Sequence, residues 1–100
     1  MTKTKRVAIV TGASRGLGEV IATVLADRGD SLVINAKTAE PLHRVAETLR
    51  VRGARVVPIA GDITDASVRA QLVNAASDLG GLDLLVNNAS VLGPMGPLAG

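Results

Sequence analysis

Three glycines, Gly12, Gly16 and Gly18, stand within the eight residues Thr11-Gly12-Ala13-Ser14-Arg15-Gly16-Leu17-Gly18. The run before them, RVAIVT at residues 6–11, is apolar without polar alternation, as in a strand buried on both faces. The run after them repeats apolar residues at helical spacing. A strand that ends where a helix begins exposes the helix's unpaired N–H groups and its partial positive charge, and such an end binds phosphate. Gly12 suits the tight turn out of the strand. Gly16 lets a pyrophosphate approach the backbone with no Cβ in the way, and Gly18 lets the helix lie close on the sheet. These are the physical roles of glycine in a dinucleotide-binding turn. The spacing here is G-x3-G-x-G rather than G-x-G-x-x-G. Ser14 adds a hydroxyl that can donate to a phosphate. The alternative is a strand-to-helix turn whose glycines serve packing alone. The regular alternation of strand and helix in the rest of the chain argues against it.

Further candidate positions, polar and apolar, follow the other strand-like runs. Asp62 and Ile63 come after VVPIA-Gly, Ala36 and Lys37 after LVIN, and Asn87 and Asn88 end LDLLVN and lead into Ala89 and Ser90. Ligands of open α/β sheets bind at the carboxyl ends of strands, so each position is a candidate. Asp62 can accept from an adenine amino group, or it can serve as a turn or cap aspartate beside Thr64. One amide of Asn87-Asn88 can tie neighbouring strands while the backbone beside Ala89 faces a ligand, and an asparagine turn is the plainer role. Arg15 and Lys37 are either ligand-facing cations or solvated ones.

Other chemistries lack their residues. The chain has no cysteine and no tyrosine. Its one histidine, His43, lies on a helical run and reads as a surface residue. Asp62 and Asp65 sit at a helix start, where capping is the expected task. No cluster has metal-ligand spacing, so no metal is expected.

The elements that would hold these residues form a β-α-β-α-β-α-β series. In the first helix Leu17, Val20, Ile21, Val24 and Leu25 make one stripe, expected to face the core, and Gly29 ends it. Residues 31–35, SLVIN, form a second buried strand. Thr38 can cap a second helix with Pro41 in its first turn and Leu42, Val45 and Leu49 inward, ending near Arg52. Residues 55–60, RVVPIA, form the third strand, and Pro58 places it at a sheet edge because proline cannot donate to a ladder. Thr64 or Asp65 caps a third helix with Val68, Leu72, Ala75 or Ala76, and Leu79 inward. Residues 82–87, LDLLVN, form the fourth strand. Such alternation implies an α/β fold with a doubly wound parallel sheet. The closing VLGPMGPLAG reads as loop.

A chain of 100 residues makes one domain at most. Its net charge of +2, scattered cations and lack of any aromatic argue against a nucleic-acid partner. No apolar run reaches membrane-spanning length, and glycines interrupt the N-terminal apolar run too early for a signal peptide. A cytoplasmic location is the expectation.

Taken together, the order of elements and three separated motifs resemble the N-terminal part of the short-chain dehydrogenase/reductase family. The residues Thr11 to Gly18 are similar to its TGxxxGxG, Asp62 to its adenine-contacting acid, and Asn87-Asn88-Ala89-Ser90 to its NNAG, with Ser90 in place of glycine. The resemblance covers essentially the whole chain. It implies a Rossmann-like fold of strand order 3-2-1-4 and cofactor contacts from Gly12, Ser14, Arg15, Gly16, Leu17, Gly18, Ala36, Lys37, Asp62, Ile63, Asn87, Asn88, Ala89 and Ser90. Where an NAD-preferring member would carry an acid after the second strand, this chain has Ala36 and then Lys37. With Arg15 in the glycine turn, that favours NADP(H) over NAD(H). The implied reaction is hydride transfer between nicotinamide and a small carbonyl or alcohol substrate, in a homo-oligomer when full-length.

The family's catalytic tyrosine, and the lysine four residues after it, lie beyond the fourth strand. This chain has no tyrosine, so no catalytic residue is expected in it. An apolar fourth strand with nothing to pair its outer edge is an aggregation hazard. Residues 1–100 are therefore expected to be the dinucleotide-binding part of a longer single-domain enzyme. The alternative is a nucleotide-binding module, or a truncated product, that binds NADP(H) without turnover. Another Rossmann enzyme, such as a methyltransferase, is disfavoured by the Asn87-Asn88 match.

Overall fold

A computed structural model describes residues 5–88. The strands are β1 (Val7–Val10), β2 (Ser31–Ala36), β3 (Val56–Ala60) and β4 (Leu84–Val86), and the helices α1 (Gly16–Asp27), α2 (Ala39–Val51) and α3 (Ala66–Asp78) alternate with them. All pairings are parallel and the order is β3-β2-β1-β4, as the alternation and the resemblance lead one to expect. Pro58 pairs opposite Ile34 on β3, the outermost strand on that side.

The period-2 geometry of the strands divides the core in two. Ala8, Val10, Leu32 and Ile34 face α1 and α2, where Leu25, Leu42, Val45 and Leu49 meet them. Val7, Ile9 and Val33 point the other way, onto Val68, Leu72 and Ala76 of α3. The sheet is thus covered on both faces, which is why β1 and β2 are buried along their whole length and read as mainly apolar runs. The ends of α1 and α2 are tied by Arg52, which holds Asp27 through two hydrogen bonds of 2.9 and 2.7 Å.

One expected face is wrong. Only Ile21 and Leu25 of the bulky stripe of α1 turn inward, whereas Leu17, Val20 and Val24 are more than half exposed. The buried residues are Gly18, Ala22, Leu25 and Ala26, with Ile21 half-buried against the same core. Small residues govern the contact because α1 lies so close to the turn after β1 that a Cβ on Gly18 would run into the carbonyl of Gly12. The third helix is capped by Asp65, which accepts from the Ser67 N–H at 2.8 Å, whereas Thr38, the expected cap of α2, stands at the N-cap position but makes no side-chain capping bond. The fourth strand spans three residues rather than the expected six, and Leu82 and Leu85 remain largely exposed. Among the described residues, no helix is long and apolar enough to cross a membrane.

Candidate functional site

The carboxyl ends of the strands converge on the turn between β1 and α1. Thr11, buried at the end of β1, ties that turn to β4. Its N–H donates to the Val86 carbonyl at 3.0 Å, its hydroxyl donates to Asn87 Oδ1 at 3.1 Å, and the same oxygen accepts from the Asn88 N–H at 3.0 Å. The Asn88 side chain then donates to the Gly12 carbonyl at 3.2 Å. On the other side, the Ala13 N–H donates to the Asn35 carbonyl at 2.9 Å. The Asn35 amide is buried and donates to the carbonyls of Ile59 and Gly61 at 2.9 and 3.2 Å, which joins the ends of β2 and β3.

Within this frame the glycines have separate reasons. Gly12 and Gly16 have φ of 63° and 61°, in the left-handed region where a Cβ is unfavourable. Gly18 has no room for a Cβ, whereas nothing lies within 4 Å of the place where a Cβ on Gly16 would sit. Gly16 therefore faces open space at the start of α1, and Arg15, the N-cap residue, makes no side-chain capping bond. The exposed, uncapped helix start meets the requirement for a phosphate beside the backbone.

A cleft of ≈ 670 Å³ opens beside the turn. Of the residues singled out from the sequence, Gly12, Ser14, Arg15, Ala36, Lys37 and Ile63 line it. Thr38, Pro41 and Arg44 add a wall from α2. Among the described residues, the lining holds three cations, Arg15, Lys37 and Arg44, and no carboxylate. Gly16, Leu17 and Gly18 lie at the adjoining start of α1, outside the lining. Asn88 sits behind the turn, and Asn87 faces a smaller apolar hollow on the α3 side that Ile63 also borders. Ala89 and Ser90 lie outside the described residues.

Asp62 is engaged in the turn before α3. Its Oδ1 accepts from the Thr64 N–H at 2.9 Å and from the Thr64 hydroxyl at 2.7 Å. The backbone and then the side chain of Thr64 hold its carboxyl below the usual aspartate value, and nearby Lys37 lowers it further. The turn role is therefore present in the structure. Oδ2 makes no hydrogen bond among the described residues.

Asn35 and Arg44 did not stand out from the sequence, and Thr11 did so only as the first residue of the glycine motif. Thr11 and Asn35 end apolar strands, and only pairing reveals that their polar groups meet neighbouring strand ends. Arg44 did carry a signal: it follows Thr38 and Pro41 at intervals of three, so the three share a helix face. No group of acidic, histidine or cysteine side chains gathers for a metal among the described residues.

The parallel sheet and its strand order agree with the comparisons to known proteins. The family model described as short chain dehydrogenase matches residues 6–99. A 1-deoxy-11-beta-hydroxypentalenate dehydrogenase of Streptomyces exfoliatus is 41% identical over 92 residues, which cover 91% of this chain and 34% of that protein. A cis-4-hydroxycyclohexanecarboxylate dehydrogenase of Sinomonas cyclohexanicum is 44% identical over 95 residues, which cover 94% of this chain and 38% of that protein. Among solved structures, the L-sorbose reductase of Gluconobacter frateurii, complexed with NADPH and L-sorbose, superposes with a TM-score of 0.80 at 37% identity, over 85% of this chain and 33% of its own. YwfH, an NADPH-dependent reductase involved in bacilysin biosynthesis, superposes with a TM-score of 0.78 at 40% identity, over 86% of this chain and 35% of its own. The chain thus spans little more than a third of the length of the curated relatives it matches. With its parallel 3-2-1-4 sheet, its glycine turn and a family match from residue 6 to residue 99, the chain belongs to the short-chain dehydrogenase/reductase family.

Proposed function

We propose that residues 1–100 are the cofactor-binding part of an NADP(H)-dependent oxidoreductase that moves a hydride between nicotinamide and a carbonyl or alcohol carbon of a small substrate. The observation that carries this reading is the cleft at the end of β2, with Arg15, Lys37 and Arg44 in its lining and no carboxylate among the described residues there. An adenosine 2′-phosphate is a dianion near neutral pH. A carboxylate in that cleft would repel it, while guanidinium groups bind it through charge-assisted hydrogen bonds. The NADPH named with the two solved reductases supports the same preference.

The nicotinamide, when bound, supplies or accepts the hydride. In this reading Gly12, Ser14, Gly16, Leu17 and Gly18 hold the pyrophosphate, Arg15, Ala36 and Lys37 the adenosine ribose and its phosphate, and Asp62 and Ile63 the adenine. Asn87 and Asn88 brace the turn, and the same reading counts Ala89 and Ser90, which lie outside the described residues, among the cofactor contacts. The proton chemistry belongs to residues outside this chain. A homo-oligomer in the cytoplasm is the setting we infer for the whole protein.

Titrating the full protein with NADPH and NADH tests the proposal. NADPH is expected to bind at least tenfold more tightly, and Arg15→Ala to erase most of that difference. Equal affinity for both cofactors, or an unchanged preference in the variant, overturns it. A second reading, cofactor binding without turnover, would follow from the lack of tyrosine only in a native polypeptide no longer than these residues. Oxidation of NADPH by the full protein with a panel of small ketones decides against it, and a native polypeptide that ends with these residues decides for it.

A further inference from the structure

We propose that Arg44, on the second turn of α2, is a specificity residue of the cleft and takes the cofactor's 2′-phosphate from the side opposite the glycine turn. The inference rests on the reading that the cleft receives a dinucleotide carrying that phosphate. Thr38, Pro41 and Arg44 follow one another at intervals of three, and all three line the cleft. Arg44 also borders an adjoining hollow of ≈ 190 Å³ together with Ser14 of the glycine turn. Its side chain therefore stands across from that turn, where one end of a bound phosphate would lie.

The three cations of the cleft differ in what already engages them. Lys37 lowers the Asp62 carboxyl pKa after the contacts of Thr64, but forms no ion pair with it among the described residues. Arg15 makes no ion pair among the described residues. Among the described residues Arg44 pairs only with Glu40, one turn earlier, at 3.8 Å, and the two side chains are 71% and 83% exposed. Exposed pairs at such spacing contribute little, so the guanidinium can exchange the glutamate for a phosphate at small cost. The planar fork then meets two phosphate oxygens at once, a geometry a lysine cannot offer. Glu40 does not line the cleft, so it competes for Arg44 without repelling the ligand at short range. Glu19, in the adjoining hollow, is the acid that opposes the phosphate from α1.

The test is calorimetric titration of the full chain with two probes that differ only in the phosphate, ADP-ribose and its 2′-phosphate. Arg44→Ala is expected to weaken the phosphorylated probe about tenfold, as for loss of a charge-assisted hydrogen bond, and to leave ADP-ribose within about twofold. Arg44→Lys should recover part of the loss. Glu40→Gln should tighten the phosphorylated probe about twofold, because it removes the competitor. A residue that merely braced α2 through the Glu40 pair would predict the reverse for Glu40→Gln and equal losses for both probes. If Arg15→Ala and Lys37→Ala collapse the difference between probes while Arg44→Ala does not, the inference about Arg44 fails and the NADP(H) reading stands. If the unaltered chain binds both probes equally, the NADP(H) reading fails and Arg44 with it.

Discussion

The turn after β1 and the rim of the cleft beside it border the same space but are built in opposite ways. The turn is enclosed: Thr11 and Ala13 are buried, and Asn88 and Asn35 clasp its backbone from the ends of β4 and β2. The rim is open: Arg15, Lys37 and Arg44 are exposed, and their charges meet at most one weak or partial partner among the described residues. The first region is satisfied by the protein itself. The second has binding capacity left for a ligand. Buried polar groups must find partners within the fold, whereas exposed cations can wait for a phosphate. Loss of a side chain from the turn should therefore register in stability, and loss from the rim in affinity.

The sharpest break of that contrast is Gly18→Ala. Its Cβ would meet the Gly12 carbonyl and press on Asn88 Nδ2, so the helix must move off the turn. We expect a loss of about 3 kcal/mol in denaturant unfolding, at the upper end of overpacking costs. Asn35→Leu comes next. It leaves the Ile59 and Gly61 carbonyls without their buried donor, and about 2 kcal/mol should be lost by the same measurement.

Gly16→Ala should behave differently from Gly18→Ala. Nothing collides with the new methyl, so stability falls only by the ~1 kcal/mol of a left-handed alanine, while affinity for the dinucleotide falls more than stability does. A Gly16→Ala variant that binds cofactor normally would place the turn's open face away from the ligand.

The smallest expected effect is in acid. Asp62 and Asp65 both have lowered carboxyl pKa values, chiefly through the backbone N–H groups of Thr64 and Ser67. A depressed folded-state pKa adds stability above the unfolded value, here 3.8, and that stability is lost as pH falls through the lower folded value. Helicity of α3 should therefore hold down to about pH 4 and decline below it, and Asp65→Asn should flatten that decline.

Much of the fold was legible because it depends on local periodicity. Buried strands read as unbroken apolar runs, helices as period-3.6 patterns, and Pro58 could belong only to an edge. The glycine turn was legible because its glycines sit where a strand gives way to a helix. The face of α1 was not. Leu17, Val20, Ile21, Val24 and Leu25 make the better amphipathic stripe, but only Ile21 and Leu25 of it turn inward, because the helix is set by how closely Gly18, Ala22 and Ala26 let it approach the sheet. Asp62 shows the same limit, since its residue type fits both a ligand contact and a turn, and only the Thr64 contacts reveal that the turn role is in use.

By itself the sequence determined the alternation of elements, the family and the supply of cations without an acid after the second strand. These follow from residue type and spacing along the chain. The tertiary structure alone decided which of those residues meet. It brought Arg44 of α2 to the cleft of Arg15 and Lys37, and it joined Thr11 to Asn87 and Asn88 across more than seventy residues. Such meetings depend on strand order and on how near each helix lies to the sheet, and both are settled by packing over the whole core.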